Sequence, residues 1–318
     1  MFTSIFRAGT AALMLGSASF AAWGEKPPLE YDISPKHVAI FDVATDGEQS
    51  FAAGERGVLL TSSISNPGFW SSMRLPVTQS IMGIALGEGD NAVVVGHGGT
   101  ILFTEDSGFT WESVDVSEHS RGDPFMDVAY LGNDRYLAVG AFGLVMSSED
   151  GGHNWSATTI SEDYFDRHLY SVANAGTDWL LIGESGSLFV SADQGDSWTK
   201  LESPYEGSFF GGMGTPDGAW LLYGMRGQVW RSEDRGQSWQ QSQTDTKVAF
   251  NAHETNSNGD ILVFGNGGQV LVSEDDGKTF APATRTGVPG DITAVARVNG
   301  ELLVGSTAGI RLWQEQGE

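Results

Sequence analysis

The chain has 318 residues, no cysteine, and 41 acidic against 17 basic side chains, for a net charge of -24. A surface so negative repels polyanions, which excludes nucleic acid and anionic headgroups as partners held by charge attraction, and it serves solubility. Without thiols there is neither a disulfide framework nor a cysteine to carry a lipid anchor, so stability has to come from packing, for which about 300 residues are ample.

In chain order, Met1 to Arg7 carries one positive charge, and an apolar, small-residue run continues from Ala8 to Ala21. Ser19-Phe20-Ala21 offers small residues at the two positions a signal peptidase reads. These features predict a secretory signal peptide over 1–21, cleaved after Ala21. The run is too short and too rich in Gly and Ser to span a bilayer comfortably, so no direct membrane insertion is expected. Residues 22–318 are then one exported, periplasmic domain. Loss of Arg7 takes its charge to -25. Leu29 to Ile33 reads as a strand with nothing nearby to pair with.

From there a unit repeats seven times. An apolar stretch leads to Gly-x-x-Gly, and a second apolar stretch succeeds it. The first glycines are Gly54, Gly96, Gly140, Gly183, Gly224, Gly265 and Gly305, and the second glycine is displaced only in the seventh unit. In the third unit, strands are predicted over Phe125 to Tyr130, Arg135 to Val139, Leu144 to Ser147 and Trp155 to Ile160. Four strands per period of about 40 residues predict an all-β, seven-bladed β-propeller with four-stranded blades. The seventh unit stops after its third strand. The N-terminal segment at Leu29 to Ile33 is therefore assigned as the outer strand that closes the last blade.

Five units carry Ser-x-Asp-x-Gly-x-x-Trp between third and fourth strands. Its aspartates are Asp106, Asp150, Asp193, Asp234 and Asp275, at steps of 44, 43, 41 and 41 residues. Its aromatics are Trp111, Trp155, Trp198, Trp239 and Phe280. A short carboxylate can accept backbone N–H groups of its own turn, the glycine tolerates positive φ, and the aromatic can bury between blades. Glu-Asp pairs at 105–106, 149–150, 233–234 and 274–275 raise calcium as an alternative. They lack the spaced set of six or more oxygens that ion needs, so no metal and no cofactor is expected. The six histidines show no ligand spacing either.

The phrase resembles the Asp box of the BNR-repeat propellers, which include sialidases. The sialidase carriers are three clustered arginines, a Tyr–Glu nucleophile pair and a Phe/Tyr-Arg-Ile-Pro segment, on six blades. No such segment is present, and the glycines count seven. The repeated unit best seen in Val95 to Trp111 and Phe264 to Phe280, with Asp42-Val43-Ala44 and Asp127-Val128-Ala129 in first strands, is similar to the photosystem II assembly/stability factor family. That resemblance implies a seven-bladed exported propeller acting as a chaperone-like scaffold for a membrane subunit. Non-photosynthetic relatives look like periplasmic accessories of resistance-nodulation-division transporters. The family's arginine-rich patch has no obvious counterpart in so acidic a chain.

The expected binding face holds the turns between second and third strands and the links between blades. The residues it singles out are Arg56, His97, Phe142, Glu184 and Arg226 in turns, with Asn266 beside them. In links they are Tyr164, Phe165, Asp166, Arg167, His168 and Tyr205. Tyr, Phe and Arg favour a protein-binding patch, here completed by Phe209. A glycoside hydrolase or sialidase-like enzyme, with Glu184, Asp166 and His168 as an acid–base set, is the enzymatic alternative, and a small-ligand or lipid-binding propeller is a third. Asp42, Gly83, Asp127, Ser171, Gly211, Asn251 and Thr293 are expected to line a central channel. The reading is a monomeric, non-enzymatic scaffold or accessory for a membrane protein complex, with no catalytic residue assigned.

Overall fold

Apolar runs of four to eight residues, interrupted by Gly, Asn and Asp, are too short for helices and suit antiparallel strands. The computed structural model describes residues 33–283 and 287–313. They form six four-stranded antiparallel sheets and one three-stranded sheet, each in simple up-and-down order. The only α-helix among them is the four-residue Ser117–Ser120. The chain is a seven-bladed all-β propeller. Its innermost strands are Ile40–Thr45, Ile81–Leu86, Phe125–Gly132, Leu169–Ala175, Phe209–Gly214, Phe250–Thr255 and Ile292–Val298. In blade 3 the outermost strand is only Ser156–Ala157, where the sequence suggests six residues. Its outer edge faces water, and the chain soon leaves it for the link to blade 4.

The core is divided among seven apolar clusters, one for each pair of neighbouring blades. Blades 7 and 1 are joined like the rest: Ala296, Val298 and Leu303 pack on Ile40, Ala52 and Leu60. Thr293 Oγ1 also donates to the Ile40 carbonyl at 2.6 Å, and Asn299 Nδ2 to the Ile64 carbonyl at 2.7 Å. The assigned closing strand falls largely on residues 29–32, which lie outside the described residues, as does the signal-peptide segment 1–21. A little further along the chain, the Pro35 carbonyl accepts Ile310 N–H at 2.8 Å. Pro35 thus stands beside Gly309 as the outgoing links stand beside the second glycines of other blades.

Those glycines exist because two links press on one turn. The N–H after the first glycine donates to the carbonyl of the link entering the blade: Glu55 to Ala39 at 3.0 Å, His97 to Ser80 at 3.0 Å, Glu184 to His168 at 2.8 Å. A Cβ on Gly96 would lie 2.2 Å from the Ser80 oxygen. The second glycine has positive φ and faces the link leaving the blade. On Gly227 a Cβ would lie 2.1 Å from the Thr246 oxygen. Only the two residues between the glycines are free to face outward.

Candidate functional site

Strand direction puts all Gly-x-x-Gly turns and all interblade links on one face, hereafter the link face, and all Asp boxes on the other. On the link face Arg56, His97, Arg226 and Asn266 are exposed in separate blades, and Asp166 and Arg167 side by side in one link. Arg56 pairs loosely with Glu55 at 3.6 Å. Arg121 and Lys247 are exposed in links of the same face. Basic groups are thus spread around its rim.

Blades 3 to 5 gather the aromatic groups. Tyr164 is 89% and Phe142 60% exposed. Phe142 adopts φ +53°, a left-handed conformation unusual for a bulky residue. It is held there because its N–H donates to His168 Nδ1 at 3.2 Å and its ring packs edge-on to that imidazole at 4.8 Å. A ladder continues from His168 to Tyr170 at 6.3 Å and from Tyr170 to Phe210 at 5.5 Å. Glu184 does not meet the His168 ring in an acid–base pair. Its carboxylate accepts the His168 backbone N–H at 3.2 Å and so orients the link. Phe165 and Tyr205 turn inward, onto Phe189 and Phe209. Phe209 is fully buried, so it packs the core and adds nothing to an exposed patch.

The ladder ends at the mouth of the central channel, a cavity of about 210 Å³ lined from all seven blades. Every innermost strand has a bulge near its start, where one residue is skipped by the partner strand. The skipped residues are Phe41, Met82, Met126, Tyr170, Phe210, Asn251 and Thr293, all half-buried. Five successive blades therefore give the mouth an apolar or aromatic side chain. This corrects the sequence alignment of the strands: Asn251 and Thr293 match Phe41, while Asp42 corresponds to Ala252 and Ala294.

Asp42 and Asp127 project from the residue after the bulge. Asp42 Oδ2 accepts Ile84 N–H of the next blade and Oδ1 accepts its own neighbour Val43, both at 2.8 Å. Asp127 does the same with Val172 at 2.8 Å and Val128 at 2.7 Å. Each carboxylate latches one innermost strand to the next. Burial pushes Asp42 up to about 7, helped by the charge of Asp127. Burial likewise pushes Asp127 up to about 6, against its backbone hydrogen bonds. On the opposite wall Tyr223 hydroxyl and His253 Nδ1 lie 2.8 Å apart, and burial drives His253 down to about 4. Tyr223 belongs to the second strand and reaches the channel because Gly211 leaves room: a Cβ there would lie 2.3 Å from its hydroxyl. Sequence inspection missed Tyr223 and His253. A glycine in a core strand beside a Tyr was the available signal.

The opposite face is organised by its boxes. In blade 3, Ser148 Oγ donates to Asp150 Oδ1 at 2.9 Å and accepts Gly152 N–H at 3.0 Å. Asp150 Oδ1 also accepts Asn154 N–H at 2.9 Å, and Oδ2 accepts its side-chain amide at 2.7 Å. Asp106, Asp193, Asp234 and Asp275 repeat this scheme. The Ser197 hydroxyl and N–H hold Asp193 down to about 2. Trp111, Trp155, Trp198, Trp239 and Phe280 each pack into the interface with the preceding blade. Ion pairs stitch the same face: Arg135 to Asp196 at 2.5 Å, Arg235 to Asp178 at 2.5 Å, and buried Arg231 to Asp276 at 2.5 Å and to Glu233. Among the described residues no group of three or more His, Asp or Glu side chains is placed to hold a metal ion. No helix among them is long and apolar enough to cross a membrane.

Seven blades, five Asp boxes and doubly clamped turns define the class: a BNR-repeat propeller. Residues 61–199 match the family described as Photosynthesis system II assembly factor YCF48. Over that segment the chain is similar to the YCF48 family of BNR-repeat propellers. Among solved structures, one described as YCF48 bound to D1 peptide superposes with a TM-score of 0.72, at 18% identity over 92% of this chain and 99% of that one. YCF48 from Cyanidioschyzon merolae gives 0.69, at 16% identity over 89% and 97%. A GH74 xyloglucanase from Xanthomonas campestris gives 0.67, at 17% identity over 87% of this chain and 52% of that one. At these identities the structural likenesses are of fold. No curated protein matches the sequence.

Proposed function

We propose that this propeller is an exported, non-enzymatic assembly or accessory factor that docks a segment of a membrane protein on its link face. The observation that carries the reading is the ladder Phe142, His168, Tyr170, Phe210, which runs from an exposed edge to an apolar channel mouth. Aromatic groups with two rotatable bonds bury much area at little entropic cost, the mark of interface anchors. The structure described as YCF48 bound to D1 peptide supplies the analogy of a propeller of this kind with a bound peptide. The repeat's resemblance to accessories of resistance-nodulation-division transporters names the membrane partner we favour, in the periplasm, after removal of residues 1–21.

The test is affinity capture from detergent-solubilised membranes with the mature protein and with a Phe142→Ala, Tyr164→Ala double variant. Recovery of an integral membrane protein by the first and its loss from the second is the expected result. Recovery unchanged by the double substitution contradicts the reading.

A hydrolase reading has its own support in the fold shared with the xyloglucanase and in two buried carboxylates with raised pKa values. Against it, both oxygens of each carboxylate already accept backbone N–H groups that join strands. Release of reducing sugar from a glycan panel, abolished by Asp127→Asn, would revive it.

A further inference from the structure

The channel mouth has a polarity that the docking reading leaves unused. Its rim is apolar on five blades, through Phe41, Met82, Met126, Tyr170 and Phe210. Just inside stand Asp42 and Asp127, with no Lys or Arg among the described residues that line the cavity. The titratable groups facing the two aspartates are each other, Tyr170, Tyr223 and His253. None of them supplies a cation at neutral pH, because burial keeps His253 neutral. Each carboxylate oxygen accepts one backbone N–H, and the Ser171 hydroxyl also bonds Asp127, so the spare acceptor capacity lies chiefly on Asp42.

We propose that the docked segment presents a lysine whose alkyl stem crosses the aromatic rim and whose ammonium sits in the channel against Asp42 and Asp127. This rests on the reading that the link face docks a partner segment, and it specifies what that segment carries. Charge complementarity argues for it. The channel holds two acids and no Lys or Arg among the described residues that line it, while the basic groups of the link face stand further out, at its rim. Lysine fits a narrow apolar entrance because its stem is hydrocarbon and its charge is compact. Rings at the rim add cation–π attraction as the ammonium passes.

Binding a cation lowers the pKa of a carboxylate beside it, so protons leave the channel when the ammonium enters. Asp42 and Asp127, at about 7 and about 6, are partly protonated near pH 6 and ionised near pH 8. Affinity for lysine therefore rises with pH across that interval.

The experiment uses the mature protein and blocked pentapeptides, Leu-Leu-Lys-Leu-Leu against its norleucine counterpart, measured by calorimetry at pH 6 and 8. The lysine peptide is expected to bind about tenfold tighter than the norleucine peptide at pH 8 and to lose most of that preference at pH 6. Repeating the titration at pH 6.5 in buffers of different ionisation heat should register proton release by the unaltered protein, which needs no variant to fold. Asp42→Asn is expected to weaken the pH dependence, leaving the part that Asp127 contributes. Equal affinity for the two peptides, no proton release, or binding of n-butylamine as tight as that of the lysine peptide overturns the proposal. If membrane capture depends on Phe142 and Tyr164 but the peptides fail these tests, the docking reading stands and the lysine site falls.

Discussion

The two faces of this propeller are built from the same chain reversals and do opposite work. On the Asp-box face, polar side chains are consumed. Each box aspartate accepts two or more donors from its own turn, and Arg135, Arg231 and Arg235 are tied to neighbouring blades. On the link face the backbone itself forms the clamp, through glycines pressed between two links, and side chains such as Tyr164, Phe142, Arg167 and Arg226 project outward unspent. Repetition therefore marks the part of a propeller that holds geometry. Function is sought where side chains differ between blades.

Substitutions on each face put that contrast to the test, beginning with the most damaging. Asp276→Ala takes the carboxylate from the buried Arg231 guanidinium, leaving it Glu233 and the backbone carbonyl of residue 276, and should cost about 3 kcal/mol in denaturant unfolding. Link-face binding by the folded fraction should be unchanged. Gly211→Ala forces the Tyr223 hydroxyl out of the channel wall and separates it from His253, for a loss of about 2 kcal/mol in the same assay. Asp150→Ala removes the hub of one box at an exposed turn and should cost about 1 kcal/mol. Tyr164→Ala, at 89% exposure, should stay within about 0.5 kcal/mol of the parent while weakening partner capture. A Tyr164 variant as destabilised as the Asp150 variant would blur the distinction between the faces.

Acidity separates the channel from the boxes in the same way. Asp42 and Asp127 have folded-state values raised above those of an unfolded chain, so their contribution is fully present below about pH 4 and is lost as pH rises through 6 to 7. The box carboxylates are shifted the other way, so their contribution is present above about pH 4 and lost as pH falls further. His253, neutral in the fold, costs stability as pH falls from about 6.5 towards 4. Between about pH 6.5 and 8 only the channel aspartates titrate among these groups. The unfolding temperature should fall across that range, and Asp42→Asn should flatten the slope.

Much of this was legible in the sequence. Seven Gly-x-x-Gly turns gave the blade number, and five boxes gave the position of the third-to-fourth turns, because a tight turn needs particular residues locally. The channel was only partly legible. Asn251 and Thr293 read as equivalents of Asp42 until the bulge common to all seven strands fixed the alignment and showed them one place earlier. The site was less legible still. Tyr164 and Phe165 are adjacent in sequence, yet one is exposed and the other packs on Phe189. Tyr223 looks like an ordinary core residue until the gap left by Gly211 is seen.

The central claim is that the link face, and not the Asp-box face, meets the partner. A photo-crosslinking residue placed in turn at Tyr164 and at Phe109 tests it in intact cells. The two positions are matched in exposure, at 89% and 82%, on opposite faces. The account predicts a crosslink to an integral membrane protein from position 164 and none from position 109. Crosslinks of equal yield from both, or from position 109 alone, would contradict it.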